Sequence, residues 1–108
     1  MTQLDELERL RPTEGARFLL QLEKVEQEGR QARYQAWVLT PSRVHTYGAL
    51  LADDASIAVS AVEVPAPDEL QKMLSNIAFL TARAAAGKRA DGLPPWPHRV
   101  LRWRGPGR

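Results

Sequence analysis

PDELQKMLSNIAFLTARAAA, residues 67–86, places Leu70, Met73, Leu74, Ile77 and Leu80 at the three- and four-residue spacing of one helix face. Polar Gln71, Lys72, Ser75 and Arg83 occupy intervening positions. Pro67 suits the first helical position, where its missing N–H would have no partner, and Asp68 and Glu69 lie at the positive end of the helix dipole. Gly87, followed by Lys88 and Arg89, predicts the other end, where a left-handed residue and positive charge are both favourable. Burying the large apolar side chains at ~1.5–3 kcal/mol each gives roughly 10 kcal/mol of gross stabilisation. Ala78, Phe79, Ala82, Ala85 and Ala86 make a second stripe beside that core stripe, which reads as a surface for a partner.

The segments before this helix read as strands. Residues 17–25 place Phe18, Leu20 and Leu22 on one face, with helix as the competing reading because Leu19, Leu22 and Val25 also have helical spacing. Gln27-Glu28-Gly29-Arg30 supplies a hairpin turn, and residues 32–39, rich in aromatic side chains and again alternating, return from it. After Thr40-Pro41-Ser42, residues 43–51 alternate, with Val44, Thr46, Gly48 and Leu50 opposite Arg43, His45 and Tyr47. Gly48 in mid-strand predicts a bulge or a close backbone approach. Asp53-Asp54 turns the chain into a fourth strand over residues 56–64, which Pro65-Ala66-Pro67 ends. Short turns make an antiparallel meander the expected topology.

Ahead of the strands, Thr2 begins a capping-box-like pattern and Leu4, Leu7 and Leu10 recur every three residues, so a short helix over residues 2–10 is expected, stopped at Arg11-Pro12. Beyond the long helix, Pro94-Pro95-Trp96-Pro97 excludes regular structure locally and reads as a semi-extended linker. His98-Arg99-Val100-Leu101-Arg102-Trp103-Arg104 has the pattern of a strand that adds to a sheet edge, in this chain or in a partner. The expected architecture is α+β: a short N-terminal helix, a four-stranded meander, one long amphipathic helix on one sheet face, and an extended basic tail. Residues 1–92 form the domain and 93–108 the extension.

With 108 residues, 44% hydrophobic and 26% charged, the chain fits one globular domain. It has no cysteine, which excludes disulfides, thiolate metal sites and cysteine nucleophiles, and no run approaches the length of a membrane span. The acidic start, with Asp5, Glu6 and Glu8, is unlike a secretory signal, and the expected location is cytoplasmic. Net charge is +2 but unevenly spread: from residue 88 onward Lys88, Arg89, Arg99, Arg102, Arg104 and Arg108 face only Asp91. A mildly acidic body therefore carries a basic end.

No phosphate loop, nucleophile elbow or metal-spaced cluster occurs, so the expectation is a non-enzymatic protein with no metal and no cofactor. The one catalytic alternative is a nuclease-like patch of Arg33, Trp37, His45 and Tyr47 on a solvent face, which lacks an identifiable partner to orient the histidine. The basic end is more informative. Lys88, Arg89, Arg99, Arg102 and Arg104 interleaved with Trp96 and Trp103 combine phosphate-pairing charge with stacking surface, the combination used on single-stranded DNA or RNA. Arg30, Arg33 and Arg43, with Tyr34, Trp37 and Tyr47 as stacking platforms, would extend that surface onto the sheet. The competing reading docks Trp96, Val100 and Leu101 onto the body and leaves the arginines solvated.

The order of elements, four strands and then a long helix over residues 17–86, resembles the Whirly family of single-stranded DNA-binding proteins. The resemblance lies in element order alone, and no functional residue is carried over from it; Glu23, Glu26 and Glu28 crowd the first hairpin. The expected function is single-stranded nucleic-acid binding through Lys88, Arg89, Trp96, Arg99, Arg102, Trp103 and Arg104. The alternative is a protein–protein interaction module or small adaptor whose C-terminal segment docks on a partner. A homodimer, joined through sheet edges or the long helix, is the expected assembly.

Overall fold

A computed structural model of the protein describes residues 3–105; Thr2, Arg108 and the Leu4 side chain lie outside the described part. The elements run α1 (Gln3–Leu10), β1 (Ala16–Glu26), a single 3-10 turn (Gln27–Gly29), β2 (Gln31–Leu39), β3 (Val44–Ala52), β4 (Ile57–Ala61), α2 (Asp68–Ala90) and β5 (Arg99–Arg104). The α+β class is as expected, with one long helix on an antiparallel sheet. The strand number is not: among the described residues the sheet has five strands, in the order β4-β3-β2-β1-β5. The fifth comes from the C-terminal extension, whose residues 98–104 have the pattern of an edge strand, and it pairs antiparallel with β1 of this same chain in the register Ala16↔Arg104 to Gln21↔Arg99.

Strand alternation divides the side chains between two faces. One face carries Phe18, Leu20, Tyr34, Val38, Tyr47 and Leu51 and is covered by α2. On the other, α1 covers only one end, where Leu7 packs against Leu19, Trp37 and Leu39. Arg17 Nη1 donates to the Leu10 carbonyl at 2.9 Å, and Arg11 Nε donates to the Thr40 carbonyl at 3.2 Å. These bonds use free carbonyls at the end of α1 and in the β2–β3 turn to fix the helix on the sheet.

Two local readings change. Gly48 is regularly paired with Gln35 and Ser60, and the irregularity in the sheet falls instead between Leu22 and Lys24 of β1. The helix α2 also runs through Gly87 to Ala90. A single mid-helix glycine costs only about 1 kcal/mol, and Arg89 is held by Asp53 Oδ2 at 2.5 Å and by the Gly29 carbonyl. The stop is Gly92, at φ +75. Its N–H bonds the Arg89 carbonyl at 3.0 Å, and the Leu93 N–H bonds the Lys88 carbonyl at 2.8 Å. That pair of bonds is a Schellman cap, displaced from the expected Gly87 to the next glycine.

The buried stripe of α2 is Leu74, Ala78, Ala82 and Ala85, while Leu70, Met73 and Ile77 are only partly buried and Leu80 is 50% exposed. The alanine stripe, expected to meet a partner, therefore packs on the chain's own sheet. The reason is volume: the sheet face already carries two tyrosines and a phenylalanine, and only small side chains let a helix approach it closely. Ala78→Leu should accordingly overpack this contact and destabilise by about 1–3 kcal/mol, whereas Leu80→Ala should cost less than about 1 kcal/mol. Urea unfolding of the two variants checks the assignment, and the reverse order of the two effects would show that the large residues form the core.

Candidate binding edge at β5

The segment after α2 is tied down at successive points. Trp96 is buried and its Nε1 donates to the Gly29 carbonyl at 2.8 Å, so the tip of the β1–β2 hairpin receives both Trp96 and Arg89. Tyr34 Oη donates to the Pro97 carbonyl at 2.7 Å. The Leu22 N–H donates to the His98 carbonyl at 2.8 Å and starts the β1–β5 ladder, and Val100 closes over the core opposite Leu20. At the far end the backbone passes so close to Gly15, at φ +74, that a Cβ there would collide with the Arg104 carbonyl oxygen. Prolines that exclude regular structure thus serve to place the chain for a fifth strand.

This docking sorts the candidate residues. Trp96 belongs to the core. Arg89 pairs with Asp53, and Arg104 Nη1 contacts Glu69 Oε1 at 2.8 Å and Met73 Sδ at 2.7 Å, so both arginines hold α2 to the sheet. The sheet aromatics proposed for stacking are unavailable as well: Tyr34, Trp37 and Tyr47 are each no more than 2% exposed. The nuclease-like patch is divided by the sheet, with His45 and Tyr47 on the α2 face and Trp37 on the α1 face. His45 Nδ1 lies 3.1 Å from the Val64 carbonyl and is part of the structure that leads into α2. Among the described residues no group of three or more His, Asp or Glu is placed to hold a metal. No described helix is long and apolar enough to cross a membrane.

Lys88, Arg99, Arg102 and Trp103 remain, and the fold brings them to one edge. A groove of about 280 Å³ lies between α2 and β5, with Ile77, Leu80 and Ala84 along the helix and Lys88, Arg99 and Arg102 around them. None of its lining residues is acidic. Because His98, Val100, Arg102 and Arg104 alternate in bonding to β1, the N–H and C=O groups of Arg99, Leu101 and Trp103 point away from the sheet. Arg102 Nη1 donates to one of these outward carbonyls, that of Leu101, at 2.9 Å. Trp103 is 56% exposed on the α1 face, its Nε1 3.4 Å from the Glu14 carbonyl, and Leu101 is exposed beside it. Arg99 reaches Glu6 at 3.5 Å across that same face, an exposed pair of small energetic value. The result is an unpaired strand edge with an apolar and cationic groove on one side and an aromatic shelf on the other. Sequence patterning pointed to the cations and Trp103; Leu80 and Ala84 were hidden from it because the helix was read with that face inward.

Burial raises the Tyr34 phenol well above its ordinary value. A raised folded-state value means the contribution of Tyr34 is fully present below the unfolded phenol's pKa and is lost as pH rises beyond it. Tyr34→Phe should therefore cost about 0.5–1.5 kcal/mol at neutral pH, through the lost bond to Pro97. The gap between wild type and variant should narrow above about pH 10. Denaturant midpoints measured across that range check both effects. No protein family, curated protein or solved structure matches this chain.

Proposed function

We propose that the protein is a non-enzymatic binding module that takes an extended, acidic polypeptide segment onto the β5 edge. The observation that carries this reading is the coincidence of a backbone edge unpaired among the described residues with the groove beside Lys88 and Arg102. A strand added outside β5 would bond to the outward groups of Arg99, Leu101 and Trp103. Its side chains would alternate between the two faces. Acidic residues on the α2 side meet Lys88 and Arg102. Apolar residues on the α1 side meet Leu101 and Trp103. An incoming carboxylate also draws the Arg102 guanidinium off the Leu101 carbonyl, which frees that acceptor for the new strand.

Single-stranded nucleic acid is the second reading, favoured by the exposed indole of Trp103 next to Arg102. It uses the same cations but makes no use of the outward amides of β5, and most of the aromatic surface expected for stacking is buried. The two readings differ in their response to salt, since phosphate contacts weaken steeply through counterion release.

Fluorescence anisotropy with a labelled alternating Glu/Val peptide and with labelled oligo(dT) and oligo(U) separates them. The peptide is expected to bind, and the double variant Lys88→Glu/Arg102→Glu to weaken it by at least about tenfold, the equivalent of ~1.4 kcal/mol. N-methylation of alternate peptide amides should weaken binding as well, because it removes the strand's donors. Oligonucleotide binding with a steep salt slope and no peptide binding would replace this reading with the second.

A further inference from the structure

The opposite edge of the sheet has a different chemistry. β4 is the terminal strand on that side, and from Ser56 to Val62 it carries no charged residue. By contrast, β5 holds three arginines in six residues. Charge on an edge strand is a defence against pairing with another copy, and β4 lacks it. The bonds Val62 N–H to Thr46 O and Ala52 N–H to Ser56 O, both 2.9 Å, show that the even-numbered residues of β4 bond inward to β3. By the alternation of an antiparallel ladder, Ile57, Val59 and Ala61 therefore direct their N–H and C=O groups outward.

We infer that β4 pairs antiparallel with β4 of a second copy of this chain, about a twofold axis at Val59, so that two sheets become one continuous sheet. In that register Val59 faces Val59 of the partner and Ile57 faces Ala61, which closes about six interchain backbone bonds. The side chains agree with the backbone. Ile57, Val59 and Ala61 share the α2 face, so each cross-strand pair there is apolar, and Ala58 meets Ser60 on the other face. The pairing is self-complementary in the sense a twofold axis requires.

A second apolar element lies beside this edge. Helical geometry sets Phe79 about 100° around α2 from the buried Ala78, on the flank opposite Ile77, Leu80 and Ala84, and thus on the side of β4. Gln71 and Arg89, which bond Tyr47 of β3 and Asp53 of the β3–β4 turn, orient that flank. Phe79 is 37% exposed and Val62 is 64% exposed. Both are brought to the junction when a second copy pairs there. This association is independent of the ligand proposed for β5, which it leaves at the two far ends of the joined sheet.

Sedimentation equilibrium of the whole chain tests the inference, with a species of twice the 12.1 kDa chain mass expected. Ala61→Pro removes an outward N–H that no bond among the described residues uses, a position where an edge strand tolerates proline. It should raise the dimer dissociation constant by about 100-fold, a factor of ten for each of the two bonds lost across the axis. Its circular dichroism should match wild type. Ser60→Lys, which leaves the backbone intact and places like charges near the axis, should also give monomer and decides the matter if the proline variant fails to fold. A wild-type monomer at concentrations of about 100 μM, an open series of larger species, or a dimer indifferent to Ser60→Lys would overturn the inference.

Discussion

Two buried tyrosine hydroxyls hold both ends of the connection that crosses the sheet. Tyr47 Oη accepts the Ala66 N–H at 2.7 Å and donates to Gln71 Oε1 at 3.0 Å, which fixes the chain as it enters α2. Tyr34 Oη donates to the Pro97 carbonyl and fixes the chain as it returns toward β5. A phenol buried without such partners would carry a desolvation penalty of about 1–3 kcal/mol, so the two rings tolerate only the backbone path that satisfies them. Among the described residues no buried side-chain nitrogen or oxygen is left without a hydrogen bond. The rings also set the depth of the interface, and the alanine stripe of α2 follows from them.

The basic residues acquire different meanings once this path is set. Arg89 and Arg104 sit at opposite ends of α2, one joined to Asp53 and the Gly29 carbonyl and the other to Glu69 and Met73. Their charges are spent on structure. Lys88 and Arg102 come from separate elements and meet only because β5 returns beside the helix. The cationic character of residues 88–104 is therefore a surface made from two elements.

Most of the fold was legible in the residues. Turn chemistry at Gln27–Arg30, Thr40–Ser42 and Asp53-Asp54 marked the meander, and the apolar spacing after Pro67 marked α2. Three features were not legible for physical reasons. Which of two apolar stripes of α2 turns inward depends on the volume of the opposing sheet face, which requires the register of strands that lie far away in sequence. Whether the 99–104 segment is a free tail or a strand depends on the edge of β1, a partner found near the other end of the chain. Gly87 and Gly92 offer the same conformational freedom, and only the contacts of Arg89 decide which of them ends the helix. The candidate site was legible to the same extent: its charges and Trp103 stood out, while Leu80 and Ala84 became visible only once the inward face of α2 was known.

The β1–β5 ladder also has a kinetic side. β1 can pair with β2 as soon as the first hairpin exists, but its other edge waits for Arg99–Arg104, so a central strand of the finished sheet is an outer strand of the growing chain. During synthesis the apolar residues Leu19 and Leu20 therefore lie along an unprotected margin until β5 arrives. Such long-range closure makes folding slower than local pairing would. It also makes the chain prone to misassociate for as long as the β1–β2 hairpin has formed and β5 has not.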